Sequence, residues 1–265
     1  MVELMIKTNE DLKGVYNKAF SNNASYAGEN DSFFTFATDD VTGFILSKIS
    51  FGDKSVLEVG CGTGMTATAV ANAGARRVLA IDYAQEAING CCQRHAHPVL
   101  QFKVDKYENI KDTFDCIILQ EVIEHLDNPE QTVVELSRLL QPDGKLIVTC
   151  PNFTNLRGYI WMTLQTLLQV PMSLSDLHFL SPFDFIEIAK KNNLKLEWET
   201  FAHERVYGDK LIVDMRKRLT NALRDAHLDN SRVDEFMQWL NKVITLDTQV
   251  TRYNGGKGFY VFSRS

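Results

Sequence analysis

No stretch of the 265 residues reaches the roughly 18 consecutive apolar positions that a membrane-spanning helix requires. The opening MVELMIKTNEDLKG lacks the basic start, apolar run and small-residue cleavage site of a secretory signal. Basic charge is in deficit: 28 Lys and Arg stand against 34 Asp and Glu, giving a net charge of −6 and a pI near 5.6. That sign argues against extended nucleic-acid backbones, which require clustered Lys and Arg, so DNA is not an expected partner. The five cysteines, Cys61, Cys91, Cys92, Cys116 and Cys150, form no C-x-x-C pair. Reduced thiols and a cytoplasmic location are the expectation. Internal repeats and low-complexity linkers are missing too. The 45% hydrophobic content suffices for one sizeable core with a cap. Nothing in the sequence specifies the oligomeric state, and a homodimer is one of the states left open.

The most informative stretch is Lys54 to Met65, KSVLEVGCGTGM. Val56, Leu57 and Val59 make a short buried-strand signal. It runs into Gly60, Gly62 and Gly64, whose backbones can turn tightly and approach a ligand closely. Thr66 to Ala75 is alanine-rich and reads as a helix. A glycine-lined turn between a strand and a helix N-terminus is a cradle for a nucleotide-like cofactor. The dinucleotide fingerprint G-x-G-x-x-G is absent, because its third glycine falls on Met65. What stands instead is E-x-G-x-G-x-G, with Glu58 inside the strand. A second strand, Arg77 to Ile81, ends in Asp82, 18 residues beyond Gly64. An acidic residue there is placed to accept from ribose hydroxyls.

Helices and strands then alternate: a helix over Gln85–His95, a strand over Val99–Val104 ending in Asp105, and a strand over Asp115–Leu119. Asn128 and Pro129 form an N-cap and first-turn pair for a helix to Leu140. Pro142-Asp143-Gly144 reads as a turn before a strand over Lys145–Cys150. This alternation predicts a parallel sheet covered on both faces. Ligands gather at the carboxyl ends of such strands, where Gly60, Asp82, Asp105, Gln120 and Asn152 fall. Before this core, Asn9–Phe20 and Asp39–Ile49 read as helices, with Phe33, Phe34 and Phe36 between them. After it, LRGYIWMTLQTLLQV reads as a cap helix, and Ser181, Pro182 and Asp184 open another with something like a capping box. Leu194–Phe201 and Gly258–Phe262 are strands flanking a helical insertion over 208–246. Arg216, Lys217, Arg218 and Arg224 give that insertion a basic stretch, read either as a solvated face or as a pocket for an anionic acceptor.

VLEVGCGTG followed by AID resembles the first and second motifs of the class I S-adenosylmethionine-dependent methyltransferases. EVIEHLDNP resembles the ubiquinone-biosynthesis O-methyltransferases and their small-molecule branch. The resemblance covers roughly residues 50–152, and 178–202 more weakly. It implies a Rossmann-like α/β fold: a seven-stranded sheet, mostly parallel with a C-terminal antiparallel hairpin, with helices on both faces. The implied organisation is one domain. Residues 1–50 form an N-terminal helical lid, 51–152 the cofactor-binding core, 153–180 and 205–247 helical caps, and 181–204 and 248–265 complete the sheet. The implied cofactor is S-adenosylmethionine, held by Glu58, Gly60, Cys61, Gly62, Gly64, Asp82, Tyr83, Gln120 and Glu121. Asp105 would accept from the adenine amino group, and the Lys106 N–H would meet a ring nitrogen. Tyr26 is the choice for a side chain covering the cofactor; the aromatics ahead of the first strand could equally be core anchors.

Methyl transfer to a hydroxyl or amine needs an aligned acceptor and a base. Glu124 and His125, just beyond the fourth strand, are the candidates, with His178 as a distant partner. The same E-x-x-E-H spelling resembles small-RNA 2′-O-methyltransferases. That resemblance raises a Mg²⁺ site at Glu121, Glu124, His125 and His178 as the less favoured option beside no metal at all. The expected reaction methylates an oxygen or nitrogen of a small or medium-sized, partly apolar acceptor: a phenol or quinone, a sugar, or a secondary metabolite. A metal-dependent RNA 2′-O-methyltransferase and a non-catalytic S-adenosylmethionine-binding regulatory subunit are the alternatives.

Overall fold

Seven strands form one mixed sheet: β1 (Ser55–Val59), β2 (Arg77–Asp82), β3 (Leu100–Val104), β4 (Phe114–Gln120), β5 (Leu140–Pro151), β6 (Leu194–Phe201) and β7 (Lys257–Arg264). The computed structural model describes residues 8–21, 39–173, 175–246 and 249–265. The strand order is β3-β2-β1-β4-β5-β7-β6. The pairs β3–β2, β2–β1, β1–β4 and β4–β5 are parallel, and β7 lies antiparallel between β5 and β6. The expected sheet, with its reversed C-terminal strand, is the one observed.

Alternation along each strand divides the core between two faces. Val56, Val78, Ala80, Ile118 and Ile147 point to one face, beneath α2 (Asp39–Lys48), α3 (Met65–Asn72) and α4 (Gln85–Arg94). Leu57, Leu79, Ile81, Ile117, Leu119 and Val148 point to the other, beneath α5 (Pro129–Arg138) and α7 (Pro182–Lys191). Each such side chain taken from water contributes about 1.5–3 kcal/mol, and both faces need that cover, which is why the strands read as unbroken apolar runs. Local signals set the helix starts. The Asn128 side chain accepts from Gln131 N–H at 3.0 Å, and Ser181 N–H donates to Asp184 at 2.7 Å.

Three helices stand apart from the sheet faces. In α8 (Gly208–Asp225), Leu211, Met215 and Leu219 pack against Met237 and Leu240 of α9 (Val233–Val243). Leu156, Ile160 and Leu164 of α6 (Leu156–Leu168) join that cluster. α1 (Asn9–Ser21) is tied across the tip of β4: Asn9 N–H donates to Asp127 at 2.8 Å and Asn9 Nδ2 to the His125 carbonyl at 2.8 Å. No helix among the described residues is long and apolar enough to cross a membrane.

Two details differ from the sequence expectation. Pro142-Asp143-Gly144 does not end an element; it bulges out of a continuous β5, with Asp143 at φ +61°. Phe114 pairs with Leu140 and Cys116 with Lys145, so the ladder resumes beyond the bulge. The helix after the glycine turn starts at Met65 and ends at Asn72 rather than Ala75, leaving Gly74 at φ +90° to turn into β2.

Gly64 is both a conformational and a packing glycine. It caps α3 at φ +77°, and a Cβ there would lie 2.8 Å from the Phe102 ring and 2.9 Å from Cys91 Sγ. Gly64→Ala should therefore cost about 2–4 kcal/mol, lowering the thermal midpoint by roughly 5–10 °C. Gly43, exposed within α2 with nothing inside 4 Å of its missing Cβ, should instead gain about 0.5–1 kcal/mol as Ala. Thermal melts of both variants check this, and an unchanged midpoint for Gly64→Ala would contradict the packing described.

Candidate active site

The carboxyl ends of β1, β2 and β4 open into one large cavity of about 700 Å³, toward the upper end of the ~300–1,000 Å³ range for small-molecule sites. Its floor is the glycine turn. Gly60 and Cys61 N–H both donate to the Ile81 carbonyl, at 2.8 and 3.0 Å, and extend the β1–β2 ladder into the loop. Gly62 N–H then turns to the Asp82 carboxylate at 2.9 Å, whose other oxygen accepts Ala84 N–H at 2.8 Å. Burial pushes the Asp82 pKa up, against the backbone N–H groups of Ala84, Gly62 and Tyr83, which favour the charged form. A carboxylate has about four acceptor positions, so Asp82 keeps capacity for hydroxyl donors in the cavity.

Glu58 sits one layer deeper. Its carboxyl accepts the Ala67 N–H in the first turn of α3, while Oε2 is buried without a partner among the described residues. Burial first, then the neighbouring Cys91 and Asp82, raise its pKa well above the usual carboxylate range. Cys61 lines the cavity with its thiol turned to Cys91, and that contact, followed by burial, raises its pKa. Gly64 does not line the cavity; Gly60, Gly62, Thr63, Met65 and Thr66 do.

On the β2–β3 side, Tyr83, Asp105, Lys106 and Glu108 form the wall. Asp105 is engaged by Lys103 Nζ at 2.6 Å, Asn109 Nδ2 at 2.8 Å and the Lys106 N–H at 2.9 Å. The Lys106 N–H expected to face a ring nitrogen thus closes a local turn on Asp105 in this structure. The Lys106 ammonium reaches Glu10 of α1 at 3.1 Å. Gln120 also lines the cavity, its amide oxygen accepting from Thr66 Oγ1 at 2.6 Å.

The tip of β4 carries the polar machinery. Glu121 adopts φ +56°, an uncommon conformation for a residue with a Cβ, and its carboxylate pairs with Lys257 at the start of β7. Glu124 is 3% exposed, and its Oε2 has no partner among the described residues. Burial, then the Glu121 and Asp176 carboxylates, push its pKa well above the usual range and favour its protonated form. His125 turns Nδ1 to the Ser175 carbonyl at 2.9 Å, with Asp176 at 3.6 Å. A carbonyl only accepts, which assigns the neutral ring's proton to Nδ1 and leaves Nε2 with the lone pair.

His178 is not brought to this site. Its backbone N–H donates to the Glu124 carbonyl at 3.1 Å, but its side chain lines a separate shallow depression beside Asn128, Pro129 and Glu130. With His178 elsewhere and Glu121 committed to Lys257, the four-residue metal set is not assembled. Among the described residues no group of three or more His, Cys, Asp or Glu is placed to hold a metal ion. Tyr26, like Phe33, Phe34 and Phe36, lies outside the described residues. Tyr16 and Phe20 of α1 line the cavity instead, with Tyr16 edge-on to His125 at a centroid separation of 6.1 Å. Their signal was the α1 pattern, in which positions 16 and 20 share a face. Asn152 is buried away from the cavity: Nδ2 donates to the Gly255 carbonyl at 2.8 Å, fastening β5 to the turn before β7.

The roof comes from α6 and α8. Asn155 caps α6 by accepting Gly158 N–H at 2.8 Å. A Cβ on Gly158 would fall 2.2 Å from the Phe153 carbonyl oxygen, so only glycine lets the helix start this close to the sheet. That start places Arg157 and Trp161 over the cavity, facing Lys210, Asp214 and Arg218 of α8. The basic stretch accordingly divides. Arg216 pairs with Asp234 and Arg224 with Asp225 on the exterior, whereas Arg218 turns inward.

Comparison with known proteins follows this geometry. Residues 57–148 match the model of a methyltransferase domain family. The chain is 30% identical over 164 residues to the ubiquinone biosynthesis O-methyltransferase of Pelagibacter ubique, covering 57% of this chain and 67% of that protein. It is 29% identical over 115 residues to the mitochondrial enzyme of the same name from Dictyostelium discoideum, covering 38% of this chain and 36% of that one. The matches thus span about a third to two thirds of these relatives' length. Among solved structures, the cyclase SpnF superposes with a TM-score of 0.62 at 17% identity, over 97% of this chain and 96% of that one, a likeness of fold. With the E-x-G-x-G-x-G turn on β1, the acid at the end of β2 and the seven-stranded order in place, this chain belongs to the class I S-adenosylmethionine-dependent methyltransferases.

Proposed function

We propose that the chain transfers the methyl group of S-adenosylmethionine to an oxygen or nitrogen of a small or medium-sized acceptor held between β4 and the α6–α8 roof. The observation that carries this reading is that a single cavity joins the glycine turn and Asp82 at its floor to His125 and Glu124 at its side. The cofactor supplies the reactive methyl carbon on a sulfonium. The residues present suit it: Asp82 keeps acceptor capacity for ribose hydroxyls, Tyr83, Asp105 and Glu108 bound a slot for the base, and Tyr16 and Phe20 cover the cleft. The orphaned Glu58 Oε2 is a further polar anchor at the same end.

The protein's remaining work is to orient the acceptor and take its proton. His125 is suited to the second task, because its Nδ1 is committed to the Ser175 carbonyl and Asp176 lies where it would support the imidazolium. Glu124, whose burial favours the protonated form, is suited to hydrogen-bonding the acceptor. The aromatic and apolar surfaces of Phe153, Trp161 and Val206 favour a partly apolar acceptor, and the relatives named above carry O-methyltransferase names.

Asp82→Asn should weaken binding of S-adenosylhomocysteine about 10- to 100-fold in calorimetry, since ribose hydroxyls lose a charged acceptor. Unchanged affinity would displace Asp82 from the role. His125→Ala should lower turnover about 10²–10⁴-fold with little change in S-adenosylhomocysteine affinity; the opposite split would assign His125 to cofactor binding.

Glu124 makes stability depend on pH. Its folded-state pKa is raised, so the stability tied to its protonated form is complete below the ordinary carboxylate pKa and is lost as pH rises through the raised value. Glu124→Gln stays neutral throughout, so its thermal midpoint relative to the unmodified chain should climb from about pH 5 to about pH 8. A difference that is constant with pH, or that falls, would contradict a protonated Glu124.

A further inference from the structure

The roof of the cavity carries more positive charge than the described residues around it balance. Lys210, Asp214 and Arg218 stand at i, i+4 and i+8 along α8, one row on one face. The adjacent row, Leu211, Met215 and Leu219, is the one buried against α9. Arg157 and Trp161 are likewise i and i+4 on α6. Arg157 Nε donates to one Asp214 oxygen at 2.9 Å and Arg218 Nε to the other at 2.7 Å. Both guanidiniums lie over the Trp161 ring, 4.4 and 4.8 Å from its centroid. A single carboxylate therefore orients two guanidiniums, each through Nε alone. Their terminal amino groups have no hydrogen-bond partner among the described residues.

Lys210 lines the same end and is exposed at the mouth. Asp176 contributes attraction to Arg157 from the far wall, but its carboxylate lies by His125. Lys257 is occupied by Glu121. Burial disfavours the charge on Arg157, and Asp214 supports it while Arg218 opposes it. Among the described residues, three cations against one adjacent carboxylate, in a cavity of lowered dielectric, leave a field that a second anion would satisfy. Two planar forks with free terminal N–H groups match the oxygens of a carboxylate or phosphate. An apolar acceptor would leave those donors without partners.

We infer that the methyl acceptor carries an anionic group, a carboxylate or a phosphate, which docks on Arg157 and Arg218 beneath the roof while its nucleophile points down to the strand tips. This rests on the methyl-transfer reading for the name of the ligand, and only on the geometry of the roof for its charge. Arg157 and Arg218 are then specificity-determining residues, Asp214 and Trp161 positioning ones.

The test uses the full chain saturated with S-adenosylhomocysteine, titrated calorimetrically with matched probes: benzoate against benzamide, and phenyl phosphate against phenol. At least one charged probe should bind about tenfold or more tighter than its neutral counterpart, and whichever anion leads identifies the acceptor's group as carboxylate or phosphate. Arg218→Gln should erase that preference while S-adenosylhomocysteine affinity stays within about twofold. Equal affinities of charged and neutral probes, no binding of either charged probe, or an intact preference in Arg218→Gln would overturn the inference. Loss of S-adenosylhomocysteine binding with the anion preference intact would instead count against methyl transfer alone.

Discussion

The buried Asp82 carboxylate is the tie on which the cavity depends. It accepts Gly62 N–H at 2.9 Å and Ala84 N–H at 2.8 Å, so the glycine turn after β1 and the turn after β2 are fastened to one anion. The turn holds three glycines at positive φ, Gly60 at +70°, Gly62 at +49° and Gly64 at +77°, a conformation with much entropy to lose and little side-chain packing to hold it. Charge-assisted bonds to a buried carboxylate, about 1.5–3 kcal/mol each, offset that loss. Desolvation outweighs those donors, which is why the carboxylate's pKa rises although backbone N–H groups surround it. Asp82 also lines the cavity, so the group that holds the turn is one that a ligand there would meet.

Around that floor the charges are segregated. Carboxyl groups gather at the strand tips, where Glu58, Asp82, Asp105, Glu121 and Glu124 all line the cavity, and guanidiniums gather under the roof. Burial pushes the Glu58 and Glu124 pKa values up and favours their neutral forms, Lys257 pairs with Glu121, and Lys103 with Asp105. The floor is therefore less anionic than its composition suggests. Among the described residues the roof has no comparable compensation beyond Asp214. A ligand spanning both ends would meet hydrogen-bond acceptors at one and cationic donors at the other.

Much of the floor was legible in the sequence because it is local. β1, the glycine turn and the start of α3 are contiguous, and an acid at the end of a second strand is fixed by the right-handed βαβ unit. The caps at Asn128 and Ser181 were legible for the same reason, each being a three-residue relation. Contacts distant in sequence were not. Lys257 meets Glu121 across 136 positions, and Arg157 meets Asp214 across 57. Nothing in a basic stretch distinguishes Arg218, which turns inward, from Arg216, which turns out, until the buried face of α8 is known. His178 was misplaced on motif grounds: its backbone, not its imidazole, meets Glu124. The Pro-Asp-Gly triplet was read as a chain turn because turn chemistry and bulge chemistry use the same residues.

The central claim is that the glycine turn and Asp82 form a cofactor site. Calorimetric titration of the folded, unmodified chain with S-adenosylhomocysteine tests it most directly. One-to-one binding with a dissociation constant on the order of micromolar is expected. Absence of heat and of any thermal stabilisation, in a sample that melts cooperatively, would contradict it.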